Sequence, residues 1–537
     1  MKIRRRRFLT HAAASAATGA VAALGVLGGG AAHAQAQASE RVLRRSRGGN
    51  LTTLDPHRPI SAADMEIIAD LFVGLTAVDS RGEIVPGCAR EWRVSSDGLR
   101  WEFTLQPNLF WSDGRALVAE DFVGSLRRLL APETAALLAY RYDAIRGARE
   151  LREGKGATVA FGVAAPAADR VVIDLVRPET DLAKLLAIAY VAPLHAIAKL
   201  GRDWAKPPAI VVNGAYRPIA WAQNGALVLE ANPRRIGNAP MVSRVEWRMG
   251  IDDATRLRAF RAGELDVVQI SDGAQLALAR RELAATLHSQ PFYGGGWVGL
   301  NLRRSALADL RVRRALNLAI DREVLCEKVR ALGERPTWSL VPEAVRDYPQ
   351  HAVPEEAAWP RARRLAEAQR LAREAGLSGA QPRQLVAIFS ANTLTERTFL
   401  ALGAMWAPLG VKVVARGMES RAYNVALTAG EFDLMDYGPF SAVQSATSFI
   451  GRFRSSSFLN YSGYREADVD RGIDLAESQR DPQERARRYV DVERRLLQDL
   501  PVLPLYSGVA HRLVASRVRG WTSNPGLALP SQFLSLS

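Results

Sequence analysis

Two short stretches decide how this chain folds: Ala262-Gly263-Glu264-Leu265-Asp266 and Ala429-Gly430-Glu431-Phe432-Asp433. The first follows a strand-like run over 245–249 and a helical run from Asp253, and leads into the apolar Val267-Val268-Gln269-Ile270. The second follows a strand-like run over 411–415 and a helical run over 421–428, and it too opens onto a strand. In each, glycine at the helix end can adopt the left-handed conformation that stops it. Strand, helix and strand in that order form a crossover between parallel strands. The same plan in two distant places predicts two α/β lobes built alike.

Outward from the second stretch the alternation continues. Asp309 caps a helix holding Val312, Leu316 and Ile320, and Asp321 caps the next, whose stripe of Val324, Leu325, Val329 and Leu332 ends at Gly333. Pro360 starts a helix stopped by Gly376, and strand 385–389, helix 394–406 and strand 411–415 follow. Outward from the first stretch, 216–221 and 227–230 form a hairpin around Asn224-Gly225. Nearer the start, 92–94 and 99–105 form another, followed by the turn Trp111-Ser112-Asp113-Gly114 and a helix from Ala119 to about Leu130.

At 537 residues the chain is long enough for two or three domains, and 48% hydrophobic with 24% charged residues marks it as globular. The net charge is +15, and only 7 of the 71 basic residues are Lys. Lys2 and Arg4 to Arg7 stand in the first ten residues, with no acid among the first 34. They lead into a run of Ala, Gly, Val and Leu that ends Ala31-Ala32-His33-Ala34. That is the pattern of an export signal over 1–38, and Arg5-Arg6-Arg7-Phe8-Leu9 resembles the twin-arginine form, which places the mature protein in the periplasm. No later stretch is long and apolar enough to span a membrane. The remaining charge, about +10, is spread among acids, with short clusters such as Arg44, Arg45 and Arg47 read as solvated surface. No basic stripe with stacking aromatics points to nucleic acid. Cys88 and Cys326 are expected to be free thiols.

The residues of chemistry do not assemble. Seven His are scattered, and HExxH, GxSxG, CxxC and GxxxxGK[ST] are absent. Gly294-Gly295-Gly296 lacks the Lys-Ser/Thr of a phosphate loop and reads as a turn or hinge, and His57 reads as structural. Glu264 and Asp266 are not read as a glycosidase pair. Two lobes without a catalytic set point to ligand capture between them, with no enzyme activity, cofactor or metal.

Seven stretches in order resemble the extracellular solute-binding proteins of oligopeptide, dipeptide and nickel ABC importers. They are Thr53-Leu54-Asp55-Pro56-His57; Asp70-Leu71-Phe72-Val73-Gly74-Leu75; Pro86-Gly87; Trp111-Ser112-Asp113-Gly114 with Ala119-Glu120-Asp121-Phe122-Val123; Asn213-Gly214-Ala215-Tyr216; the first of the opening stretches; and Val312-Arg313-Arg314-Ala315-Leu316 with Ile320-Asp321-Arg322. The resemblance runs from about residue 43 to 520. It implies an α/β fold of the type II periplasmic binding kind, with two lobes joined by a hinge and an extra third domain. Lobe I would comprise 39–72, 194–293 and 507–537, domain II 73–193 and lobe III 294–506, with hinges near Gly294 to Gly296 and near Leu505. It implies a monomeric periplasmic component that captures a peptide or peptide-like solute and hands it to a membrane permease. The alternatives are a same-family carrier of a non-peptide ligand (a metal chelate, haem, or a cationic or modified small molecule) and an exported hydrolase.

By position, the resemblance places ligand contacts at Ile60 to Ala62 and at Gly438 to Phe440, with Trp297, Asp436, Tyr437 and Ala442 also at the site. The departures are specific. The Asp that pairs with a peptide's α-ammonium in oligopeptide-binding members falls at Ala442, an Arg near the ligand carboxylate at Asp436, and a His at Thr395. Two cysteines paired in some members fall at Gly294 and Phe440. A buried ammonium without a counter-charge is costly. The usual clamp on peptide termini is therefore not expected here, and Asp436 is expected either to receive a cationic group or to pair with Arg397 or Arg421.

Overall fold

The computed structural model describes residues 41–537 apart from 60, 156–159, 223–224, 378, 380 and 527–528. The export signal expected over 1–38, and Ile60 and Asn224, therefore lie outside the described residues. The chain divides into two units, Met1–Arg41 and Val42–Ser537, and every element below belongs to the second.

Both opening stretches sit where their glycines predict. Helix Asp253–Arg261 ends before Gly263 (φ 73°), and helix Ser420–Ala429 ends at Gly430 (φ 70°). The strands on either side of each helix flank a third, parallel strand. Arg244–Arg248 and Val267–Ile270 embrace Val42–Ser46, and Val411–Met418 and Leu434–Tyr437 embrace Arg383–Ser390. Between the two triplets run two long antiparallel strands, Leu287–Leu300 and Val502–Val514. Leu434–Tyr437 pairs with the first of these and Val267–Ile270 with the second, so one eleven-stranded sheet passes through both lobes. Hairpin Tyr216–Trp221/Ala226–Ala231 completes one end.

The register of the two long strands shifts between Pro291 and Gly295 and again between Gly296 and Trp297. The glycines there are required by close approach: a Cβ on Gly295 would strike the Tyr506 carbonyl, and one on Gly296 the Tyr506 ring. The ladder is thus irregular where the strands cross, which is where bending is least costly.

A separate four-stranded antiparallel sheet, Ala89–Val94, Arg100–Leu105, Arg170–Asp174 and Val163–Ala167, carries helix Ala119–Leu130. Its core, around Trp101, Phe103, Trp111 and Phe122, is continuous with that under Val42–Ser46. The other half of the molecule is filled by two clusters, one around Trp297, Tyr437 and Phe453 and one around Phe389, Phe399 and Trp406.

Two sequence expectations are corrected. The helix capped by Asp321 makes one α-turn, Arg322–Val324, and then a π-helical stretch Leu325–Arg330 that ends at left-handed Ala331 (φ 55°), short of Gly333. The Arg44 to Arg47 cluster is not solvated surface. Arg45 and Arg47 are buried and converge on buried Glu66 at 2.8 and 2.6 Å, while Arg45 also lies over the Trp247 ring at 4.2 Å. Burial alone would raise the Glu66 pKa, but Arg47 and Arg45 outweigh it and hold the carboxyl below its usual value. Cys88 and Cys326 are free, and burial pushes both thiols up.

Candidate functional site

After strand Leu434–Tyr437 the chain turns through Gly438 to Phe440, and this turn forms one wall of a cavity of about 440 Å³. Tyr423, from helix Ser420–Ala429, and the segment around Arg452 to Tyr461 extend that wall. The facing wall comes from Pro59, Met65, Leu137, Leu138, Tyr140, Arg141 and Ile188. Helix Ala62–Leu71, which carries Met65, is fixed by a capping box in which Ser61 Oγ accepts from Asp64 N. A second cavity, of about 110 Å³, shares Met65, Leu138, Phe440 and Ala442 with the first and is lined mainly by apolar residues such as Ile68, Phe72 and Leu129. Its volume suits one branched or aromatic group.

Of the positions named from sequence, Asp436, Tyr437, Gly438, Phe440 and Ala442 come together in the larger cavity. Trp297 does not line it. It is buried in the lobe core, 5.2 Å from the Tyr437 ring and 5.6 Å from that of Phe453. Ala62 begins the capped helix. Gly294 and Phe440 face each other in an antiparallel bridge, and Gly295 N donates to Pro439 O at 3.1 Å. The turn is thus stitched to the irregular stretch of the long strands.

Alternation along the strand puts Asp436 and Tyr437 on opposite faces. Tyr437 meets Trp297 and Arg452. Asp436 accepts from Thr395 Oγ1 at 3.5 Å, and the pairing with Arg397 or Arg421 is corrected: among the described residues no guanidinium lies within ion-pair distance of Asp436, and Arg397 lies 3.7 Å from Asp272. Burial pushes the Asp436 carboxyl up, opposed by the nearby charge of Arg330 and by the Thr395 bond. It is a carboxylate short of a partner, in a cavity wall. His57, in the smaller cavity, is held by its neighbours. Nε2 donates to Tyr190 O at 2.9 Å and Nδ1 accepts from Arg128 at 2.9 Å, and burial followed by the Arg128 charge drops its pKa to about 4. It stays neutral, as a structural residue.

Beside the cavity the walls are fastened by polar contacts that sequence reasoning missed. Arg177 meets Glu477 at 2.5 Å, Ser445 Oγ donates to Asp181 at 2.6 Å, and Lys184 meets Asp347 at 2.9 Å. Glu179 sits among them, 3.6 Å from Arg177, its pKa pushed up to about 8 by burial and then by the Glu477 and Asp181 carboxylates. The folded protein therefore binds this proton more tightly than the unfolded chain does, so stability falls as pH rises from about 4.5 to about 8. Glu179→Gln should flatten that fall. Thermal midpoints at pH 5 and pH 8.5 test it, and an unchanged slope would refute it.

An α/β molecule of two lobes, joined by crossing strands and enclosing a cavity between its walls, is the architecture of a solute-binding protein. The model of the bacterial extracellular solute-binding proteins, family 5, matches residues 83–460, and the chain belongs to that family. It is 30% identical over 497 residues to the periplasmic oligopeptide-binding protein of Escherichia coli, covering 91% of each chain. It is 30% identical over 490 residues to a probable deoxycholate-binding periplasmic protein of the same organism, covering 90% of this chain and 91% of that one. The structure of the murein tripeptide-binding protein of E. coli superposes with a TM-score of 0.87 at 26% identity, over 93% of this chain and 99% of that one. The unliganded open form of that protein, again over 93% of this chain and 98% of that one, scores 0.71. The conformation described here is thus further from the open form. The fold is the type II-like periplasmic binding fold.

Proposed function

We propose that this chain is the periplasmic substrate-binding component of an ABC importer. It captures a peptide or peptide-like solute between its lobes and delivers it, unaltered, to a permease in the inner membrane. The observation that carries this reading is the cavity itself: two walls meet across it, and one of them ends at the irregular crossing of the long strands. The lobes are assigned as 39–72, 194–293 and 507–537 for lobe I, 73–193 for domain II and 294–506 for lobe III, with bending at Gly294 to Gly296 and near Leu505. The two register shifts support that hinge. Export uses residues 1–38 through the twin-arginine route, and the mature protein works as a monomer. Among the described residues no helix is long and apolar enough to cross a membrane.

Ala442 offers no charge to a peptide ammonium, and Asp436 takes that role, with Tyr423 and Tyr461 lining the same cavity. Backbone at the exposed Gly438 is available to an extended ligand. The apolar smaller cavity, with the name of the second relative, favours one alternative cargo, a non-peptide amphiphile. Native mass spectrometry of protein taken from its own periplasm decides between them. A co-purifying peptide supports the main reading, and a sterol-like acid the alternative. A covalently altered substrate would overturn both.

A further inference from the structure

Among the described residues, the larger cavity is lined by three charged ones, Asp436, Arg141 and Arg452. The two arginines come from opposite walls and meet at one residue. Arg141 Nη2 donates to Ser448 Oγ at 2.9 Å, and Arg452 Nε donates to Ser448 O at 2.7 Å. Arg452 is 8% exposed, and its other bonds go to Phe440 O at 2.8 Å and Tyr437 Oη at 3.5 Å. Among the described residues no carboxylate lies within ion-pair distance of either guanidinium. The nearby acids are otherwise engaged. Glu477 is held by Arg177 and Arg454, Asp181 by Lys184, and Asp143 by Arg152. Asp436 points to the other face of its strand, beside Thr395.

Two cations brought to one serine in a confined space repel each other, and buried charges in native structures are normally paired. A guanidinium is also the side chain best shaped to grip a carboxylate. We infer that Arg141 and Arg452 form a seat for a carboxylate of the bound solute, resting on the reading of this cavity as the cargo site. The seat fixes polarity: the cargo's anionic end lies at Ser448 and its cationic group, where it has one, at Asp436. It also couples capture to closure, because the anion bridges an arginine from each wall and removes the repulsion that would part them.

Calorimetry on the mature protein tests the seat with two pairs of ligands, short peptides with a free C-terminus against their C-terminal amides, and deoxycholate against its neutral amide. In whichever class binds, the acid should bind about 10- to 100-fold tighter than the amide, the span expected of a charge-assisted pair. Arg141→Gln, which loses only the Ser448 bond in the free protein, should bring the two forms to within a few-fold, and Arg141→Lys should retain part of the preference. Equal binding of acid and amide by the wild type, or a preference that survives Arg141→Gln, overturns the seat while leaving the cargo site standing. Failure of both classes to bind overturns the cargo reading, and the seat with it.

Discussion

Glu493→Ala is expected to cost about 3–5 kcal/mol of stability, the range for breaking a fully buried charged network. Glu493 is 0% exposed and accepts from Ser339 Oγ (2.7 Å), Leu340 N (2.6 Å), Val341 N (3.2 Å), Tyr348 Oη (2.5 Å) and Ala352 N (2.9 Å). Alanine leaves the main-chain N–H groups of Leu340 and Ala352 and the Tyr348 hydroxyl without their acceptor in the interior, and opens a cavity beside them. The damage reaches the cargo site. The segment that Glu493 anchors carries Asp347 to Lys184 and Arg346 to Glu83 on the other wall. Urea titration should show the midpoint falling, with a smaller loss for Glu493→Gln, which keeps one acceptor oxygen and the volume. A loss below about 1 kcal/mol would show that the network is not what holds this segment.

Asp436→Asn is expected to weaken a cationic cargo about 10- to 100-fold, while a neutral analogue loses little. The pH dependence gives a sharper readout. In the free protein, burial holds the Asp436 carboxyl above its ordinary value. A bound cation favours the ionised form, so binding expels a proton wherever the free carboxyl is still protonated. Affinity should therefore climb as pH rises through the Asp436 titration and level off above it, and the Asn variant should show no climb. Calorimetry in buffers of different ionisation enthalpy measures that proton directly. An Asp436→Asn profile that still climbs would place the titrating group elsewhere.

Local rules were enough to read the paired strand–helix–strand units, because their apolar spacing, helix-stopping glycines and following strands lie within a few residues of one another. The turn at Gly438 to Phe440 and the facing of Gly294 and Phe440 were reachable through the family resemblance. What the sequence did not show depends on partners far apart in the chain. Arg45 and Arg47 look like surface until the fold brings Glu66 between them. The Arg141–Ser448–Arg452 meeting joins positions 307 residues apart in the chain, neither marked by a motif. Trp297 reads as a candidate contact by family position, yet its ring is buried against Tyr437 and Phe453. The π-helical stretch at Leu325–Arg330 carries the same apolar stripe as an α-helix, so periodicity alone misses it.

Small-angle scattering on the mature protein, stripped of ligand by unfolding and refolding and then titrated with the cargo recovered from its periplasm, tests the central claim most directly. The radius of gyration should shrink on saturation toward the value calculated for the conformation described here, with the cargo recovered intact. A radius unchanged at full occupancy, or release of a chemically altered cargo, would contradict it.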